Sequence, residues 1–379
     1  MMALREVKSD TFKDGLFRTA DDLAPGQDNC SPQSLNIVNA HNEWDPLEEI
    51  IVGTAAFAQL PKDRGIDALS QATPDLYNDT GEMRFPDRII EETEEDLAIF
   101  VAELAYLGIR VRRPTPIEFR DTVQTPLWES GYFFTYCPRD VLLSIGDAII
   151  ETPNVFRSRF FEPWAYKDIL VEYLEKGARW ISAPRPALRD EVYNFTGVPG
   201  SAINNTEPLF DAANVIKAGR DLFYLVSDSG NELGCKWLQS TLGSDYRVHA
   251  CRNLYSSAHI DTTLVLLRPG LLLANPERVN EDNMPEPLKS WDVLYAPEMA
   301  EPSYSDLTPM ASKWFGMNTL MISPTLAVVD QHQTALIKML EGAGIDVLPL
   351  RLRHGRQLGG GFHCVTMDVR RRGNLESYW

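Results

Sequence analysis

The chain has 379 residues, 44% hydrophobic and 24% charged, with a formal net charge of −18. That length can bury one large domain or two ordinary ones, and the acidity argues against a nucleic-acid partner, whose phosphate backbone calls for a basic footprint. Five scattered cysteines, without a CxxC pair or zinc-like spacing, support neither a disulfide framework nor a structural metal.

The opening MMALREVKSDTF lacks the apolar stretch of a secretory leader, and no apolar run approaches the ~18 residues of a membrane helix. A soluble cytoplasmic protein with no membrane partner is expected. Residues 1–35 are polar, include PGQDN and SPQS, and read as a mobile tail. A single domain is then expected over residues 36–379, starting in NIVNAHNEWDPLEEIIVG, where alternation and β-branched residues signal a strand.

From there one pattern recurs: a polar residue, a short apolar run, a turn and a second apolar run. It is seen at Asp140 before VLLSIGDAII, Asp211 before AANVIKAGRDLFYLV, Asp261 before TTLVLLRPGLLLAN and Asn318 before TLMISPTLAVV. The Gly-Asp, Gly-Arg and Pro-Gly turns suit β-hairpins, and Leu47–Val52 reads as the opening of a further copy. Each copy continues through a helical stretch into another short strand. Glu91–Leu107 leads into GIRVRRP, Phe160–Glu175 into KGARWISAP, Glu232–Leu242 into GSDYRVHAC, and Gln331–Glu341 into GAGIDVLPL. Pro287–Ser290, before WDVLYAP, is a weaker helix. Five strand–strand–helix–strand units, spaced at roughly 45–70 residues, predict an α/β fold closed into a five-bladed propeller. The competing reading is an open α/β protein of two domains. In a propeller the residues heading each first strand gather at the axis, so Asp140, Asp211 and Asp261 would converge.

The chemistry-bearing residues sit at those heads. Gly359, Gly360 and Gly361 in LGGGFHC permit close approach to the backbone beside Cys364. That cysteine reads either as core or as a nucleophile whose thiolate a neighbouring cation stabilises. In AHID, His259 and Asp261 lie two apart, on one face if this is a strand, which suits acid–base work. His363 next to Cys364 would face the opposite way along a strand. His41, His249, His332 and His354 read as ordinary polar residues.

The segments HNEWDPLEEIIVG, CPRD, FDAAN, HIDTT, ASKW and LGGGFHC with MDVRRRG, in this order from about residue 36 to the end, resemble the arginine amidinotransferases of the pentein superfamily. The resemblance implies a five-bladed α/β propeller, which agrees with the repeat. DAANVIKAGRDLFYLVSDSGNELGCKWLQS and RVNEDNMPEPLKSW are especially similar to the inosamine-phosphate branch, which plausibly includes the amidinotransferase of saxitoxin biosynthesis. It implies Cys364 as nucleophile, His259 as acid–base and Asp211 as its orienting partner. Asp140 and Asp261 would clamp the guanidinium of L-arginine, and Arg278 with Ser312 would take its carboxylate. No metal or organic cofactor is implied; the expected partners are arginine, an acceptor amine and a second copy of the chain in a homodimer. Asn214 and Ala311 depart from relatives that carry an aspartate and a hydroxyl there, which argues against glycine as acceptor. With Arg370–Arg372 the only basic cluster near a motif, an uncharged or cationic acceptor such as the saxitoxin-pathway amino-ketone is expected ahead of an inosamine phosphate. The rival activities are arginine deimination and ligand binding without chemistry.

Overall fold

The computed structural model describes residues 37–72, 83–118 and 122–379, so the mobile tail expected over residues 1–35 lies outside the described residues. Five three-stranded sheets carry the architecture. In four of them the chain forms a hairpin, passes through a helix and adds a parallel third strand. These are Leu142–Ile145, Ala148–Glu151 and Arg179–Ser182; Val215–Ala218, Asp221–Leu225 and Arg247–Cys251; Leu264–Arg268, Leu271–Ala274 and Asp292–Tyr295; and Leu320–Ser323, Leu326–Asp330 and Asp346–Leu350. The connecting helices span Lys167–Glu175, Glu232–Leu242 and Thr334–Gly342, with a single 3₁₀ turn, Glu286–Ser290, in the unit whose helical signal is weakest. The hairpin glycines Gly146, Gly219 and Gly270 have φ of 58°, 67° and 80°, the left-handed region that tight turns require.

The fifth unit corrects one expectation. Leu47–Val52 opens no copy of its own; it is a middle strand, parallel to Arg110–Arg112 on one side. Its antiparallel partner is the last strand of the chain, Thr366–Arg371, paired from Leu47↔Arg371 to Val52↔Thr366. The unit is therefore assembled from both ends of the sequence, and its pairing closes the ring of the five-bladed α/β propeller. Helix Asp87–Tyr106 covers it with Ile89, Thr93, Leu97, Phe100 and Leu104, the i, i+3, i+4 stripe of a core-facing helix. Phe100 meets Phe362 edge-on at 5.0 Å and so anchors the segment that carries Cys364.

At the axis lies a buried ionic cluster. Asp368, fully buried on the closing strand, accepts from Arg139 Nη2 at 2.8 Å, Lys217 Nζ at 2.9 Å and Arg371 Nε at 3.1 Å. Burial pushes this carboxyl up, but Lys217, Arg139 and Arg371 together hold it well below the usual carboxylate range. Its contribution to stability is thus complete above about pH 4 and is lost only as pH falls through the depressed value. Arg371 and its neighbours leave the cluster expected at 370–372 without a ligand-facing role: Arg370 and Arg372 both bind Glu48 at 2.8 Å.

Removing one member of a buried ion cluster strands the remaining charge, at a cost of about 3–5 kcal/mol. Lys217→Ala should lower the unfolding free energy, measured by chemical denaturation, by an amount in that range. Arg372→Ala, a solvent-exposed partner of Glu48, should cost less than about 1 kcal/mol.

Candidate active site

Each first strand is preceded by a tight turn, and the turns converge. Asp140 sits in the single helical turn Pro138–Val141, Asp211 caps the 3₁₀ turn Ala212–Asn214, and Asp261 begins a turn ahead of Leu264–Arg268. Asn318 follows the 3₁₀ turn Lys313–Met317, and Cys364 lies in the turn just before Thr366–Arg371. The heads are therefore turns where strand ends were expected. In a turn, side chains do not alternate, and this is why His259 and Asp261 reach the same site and why His363 does too.

His259 Nε2 contacts Asp211 Oδ2 at 2.9 Å, and its Nδ1 lies 3.6 Å from Asp140 Oδ1. The Cys364 thiol donates to Asp261 Oδ2 at 3.1 Å. The same oxygen meets His363 Nδ1 at 2.9 Å, and His363 Nε2 lies 3.4 Å from the buried Glu43. His363, set aside on strand geometry, is thus a partner of Asp261. One ligand-type atom from each of Asp140, His259 and Cys364 lies within 4.8 Å of the other two, an arrangement able to hold a cation. A metal ion would have to compete with the contacts His259 and Cys364 already make. A planar cation with many N–H donors would complement them.

Arg278 is held apart from this cluster. Its Nη1 donates to Thr262 O, Thr262 Oγ1 and Thr263 Oγ1 at 3.2, 3.0 and 3.1 Å, and its Nη2 to Ser312 Oγ at 3.1 Å. Its guanidinium carbon stacks 3.5 Å from the centre of the Tyr255 ring. A pocket of about 500 Å³ joins the two regions, lined among others by Tyr255, His259, Asp261, Ser312, Asn318 and Cys364. Ala311 lines it as well. Asn214 does not: its buried amide donates to Leu225 O at 2.8 Å and Ser227 Oγ at 2.9 Å and accepts from Ser229, a structural role.

The electrostatics are those of a site short of one cation. Burial pushes the His259 imidazole down, but the charges of Asp140 and Asp211 outweigh it and hold it well above the usual histidine range. Contact with the Cys137 thiol, burial and the charge of Asp261 push the Cys364 thiol well above the usual cysteine range. Burial also opposes ionisation of Asp261, yet His363 and His259 keep it far below the ordinary value. Asp140 Oδ1 and Asp211 Oδ1 are buried and have no hydrogen-bond partner among the described residues. Such orphaned oxygens are costly unless a ligand supplies the donors.

Sequence reasoning missed several supports. Arg159 donates to Asp140 Oδ2 at 2.6 Å and grips Glu162, whose carboxyl burial lifts to about 7, so Asp140 is aimed by a charge from beyond the next β-hairpin. Asn318, read only as the head of a unit, touches Cys364 directly. The three glycines do serve close approach: a Cβ on Gly360 would stand 2.5 Å from Cys137 Sγ, and one on Gly361 would stand 2.7 Å from Asn318 Cβ. The four histidines read as ordinary polar residues pair elsewhere, with Asn39, Asp221, Asp330 and Glu92.

A five-unit α/β ring with cysteine, histidine and carboxylates gathered at its axis is the pentein architecture, and the protein is an enzyme of that class. No protein-family profile matches the chain. It is 54% identical over 348 residues to inosamine-phosphate amidinotransferase 1 of Streptomyces glaucescens, covering 91% of this chain and 99% of that protein. It is 40% identical over 353 residues to the L-arginine:L-lysine amidinotransferase of Pseudomonas savastanoi pv. phaseolicola, covering 90% and 96%. The crystal structure of an inosamine-phosphate amidinotransferase from Streptomyces griseus superposes with a TM-score of 0.88 at 53% identity, over 91% of this chain and 99% of that one. An amidinotransferase of the saxitoxin pathway from Microseira wollei gives 0.84 at 40% identity, over 90% and 100%. The chain belongs to the amidinotransferase family. Among the described residues no helix is long and apolar enough to cross a membrane.

The charge of Asp261 opposes ionisation of Cys364, so neutralising it should free the thiolate. Asp261→Asn is expected to speed iodoacetamide alkylation of Cys364 at pH 7 relative to wild type, by about tenfold for each unit by which the thiol pKa falls. The measurement is the pH profile of alkylation, with peptide mapping of the labelled cysteine.

Proposed function

We propose that the protein carries the amidino group of L-arginine, through a covalent intermediate on Cys364, to the amine of an inosamine phosphate. The observation that carries the reading is the cluster of Cys364, His259 and Asp140, one ligand-type atom of each within 4.8 Å of the other two, with Asp140 Oδ1 buried and lacking a hydrogen bond among the described residues. A guanidinium offers planar donors and a positive charge to two carboxylates at once. Asp140 and Asp261 are the natural clamp. Arg278, across the pocket and beside Ser312, is placed to bind the donor's carboxylate, and the family's arginine-using member supports arginine as donor.

The charges of Asp140 and Asp211 favour the protonated form of His259, which makes it an acid for the leaving nitrogen and not the acceptor of the thiol proton. That proton leaves to solvent when the guanidinium docks and occupies Asp261, because the cation favours the thiolate as strongly as the carboxylates had opposed it. Sγ then attacks the central guanidinium carbon and forms an S–C bond. The C–N bond to the departing nitrogen breaks as His259 gives that nitrogen its proton, with Asp211 holding the ring, and ornithine leaves. The acceptor amine enters, loses a proton to the now neutral His259, and its nitrogen bonds to the amidino carbon as the C–S bond breaks. Thiolate and imidazolium are restored, and the guanidino product leaves. Attack by water in place of the amine would be hydrolysis, which the high identity to transferases over nearly the whole chain argues against.

For the acceptor, the order of identities favours the inosamine-phosphate enzymes over the lysine and saxitoxin-pathway enzymes. Two cations adjoin the pocket-lining segment 310–313 and could meet a phosphate: Arg356, whose Nε donates to Ala311 O at 3.1 Å and which pairs with Glu301, and Lys313, paired with Glu277. The uncharged amino-ketone is the second reading, supported by the commitment of Arg370–Arg372 to Glu48 and Asp368.

Incubation with arginine alone should leave an amidino adduct on Cys364, visible by mass spectrometry of the intact protein, and Cys364→Ala should abolish both adduct and turnover while the circular dichroism is unchanged. Turnover by that variant would sink the mechanism. With arginine as donor and scyllo-inosamine phosphate, a saxitoxin-type amino-ketone, lysine and glycine in competition, the phosphate should be consumed first; preference for the amino-ketone would transfer the assignment to the second reading. Arg278→Ala should raise the KM for arginine roughly tenfold to a hundredfold, the equivalent of about 1.5–3 kcal/mol for a lost charge-assisted contact, and should leave agmatine, which has no carboxylate, nearly unaffected.

A further inference from the structure

Asn318 heads the last internal unit and is almost wholly buried, at 4% exposure. Its Oδ1 accepts two backbone hydrogen bonds, from His363 N at 3.1 Å and Cys364 N at 2.9 Å. Its Nδ2 lies 3.1 Å from Cys364 Sγ. The orientation of the amide is fixed by this arrangement: two N–H donors require an acceptor, so the oxygen faces the backbone and the nitrogen faces the sulfur. Packing leaves the side chain little freedom to turn, since Gly361 admits no Cβ beside Asn318.

Cys137 and His259 also reach Sγ, but each offers a proton it can lose, and His259 gives its own to the departing nitrogen in the proposed reaction. Asp261 is an acceptor at 3.1 Å and, once a guanidinium occupies it, no longer receives the thiol. The sulfur that has lost its proton then has, in the Asn318 amide at 3.1 Å, a fixed donor whose own proton is not transferred during the reaction. We propose that Asn318 is a further catalytic residue, whose amide nitrogen hydrogen-bonds the anionic sulfur of Cys364 and stabilises it for attack on the donor. Its oxygen meanwhile holds the turn that aims the sulfur. A fixed dipole directed at a developing or standing negative charge costs no reorganisation during reaction, the logic of an oxyanion hole applied to a nucleophile. The proposal rests on Cys364 being the nucleophile.

Asn318→Asp keeps an acceptor for both backbone N–H groups and replaces the donor to sulfur with a second carboxylate oxygen. It should move the inflection of iodoacetamide alkylation at Cys364 upward by about one pH unit or more, so that alkylation below the inflection is roughly tenfold slower. Asn318→Ser shortens the side chain by one bond, so that its hydroxyl falls short of the sulfur, and adds no charge; it should shift the inflection in the same direction by less, which covers the case in which the aspartate variant fails to fold. In both, single-turnover release of ornithine should slow about tenfold or more while the KM for arginine stays within about threefold, the split expected when an interaction with the reacting atom is lost. A purely structural role would disturb folding or KM without moving the alkylation inflection. An unshifted inflection in a folded Asn318→Ser protein overturns the proposal. If Cys364→Ala still turns over arginine, the nucleophile assignment itself fails; if Cys364→Ala is inactive and the Asn318 variants alkylate like wild type, only the role of Asn318 falls.

Discussion

The pairing of Thr366–Arg371 with Leu47–Val52 is the constraint on which the rest depends. It joins the two ends of the domain in one sheet, and it carries Asp368 to the axis, where Arg139, Lys217 and Arg371 meet it. A buried carboxylate is tolerated only with its charge matched and its lone pairs filled. Those cations come from three different units, so the ion cluster records whether the ring has closed in register. A slip of one residue would turn Asp368 and Met367 to opposite faces and put a charge into the apolar layer. The same strand begins two residues after Cys364, so the place of that thiol follows from the closure.

The site is built on a second electrostatic argument, nearly the inverse of the first. Around Asp368 the buried charges are matched; at the site two carboxylate oxygens have no hydrogen bond among the described residues, neighbouring carboxylates favour the charged imidazole of His259, and burial with the Cys137 and Asp261 side chains favours the protonated thiol of Cys364. The mismatch is the specificity. A neutral ligand would leave the orphaned oxygens unsatisfied, whereas in the reaction we propose a planar cation satisfies them and, by its charge, favours the thiolate. Recognition and activation are then one event, and the free enzyme is protected from adventitious alkylation by the same carboxylates that select the donor.

The repeat was legible because hairpin turns and β-branched runs are local signals, and the helix Glu232–Leu242 was read to the residue. The convergence of Asp140, Asp211 and Asp261 also followed from the periodicity alone. What could not be read was the closure. Nothing within Leu47–Val52 reveals that its partner lies more than three hundred residues away, and a middle strand buried on both faces looks like a first one. The turns at the unit heads were taken for strand ends, and that misplaced His363, since alternation applies only to extended backbone. Arg159 and Glu162 were invisible because a buried ion pair has no sequence pattern; they look like ordinary surface charges until the fold encloses them. Asn318 carried a signal, its equivalence to the aspartates of the other units, but an asparagine at a turn has a common structural explanation.

Closure by the last strand also sets an order in time. Synthesis runs from the amino terminus, so four units, with their carboxylates and His259, leave the ribosome before Cys364 and the strand that follows it. During that interval the emerging chain holds the carboxylates and His259 without Cys364, and Leu47–Val52 has one strand edge unpaired, open to any extended segment that can hydrogen-bond to it. The arrival of Thr366–Arg371 occupies that edge and brings Cys364 to the site in the same step. Competence is thus conferred all at once, and a nascent chain has no partly active stage.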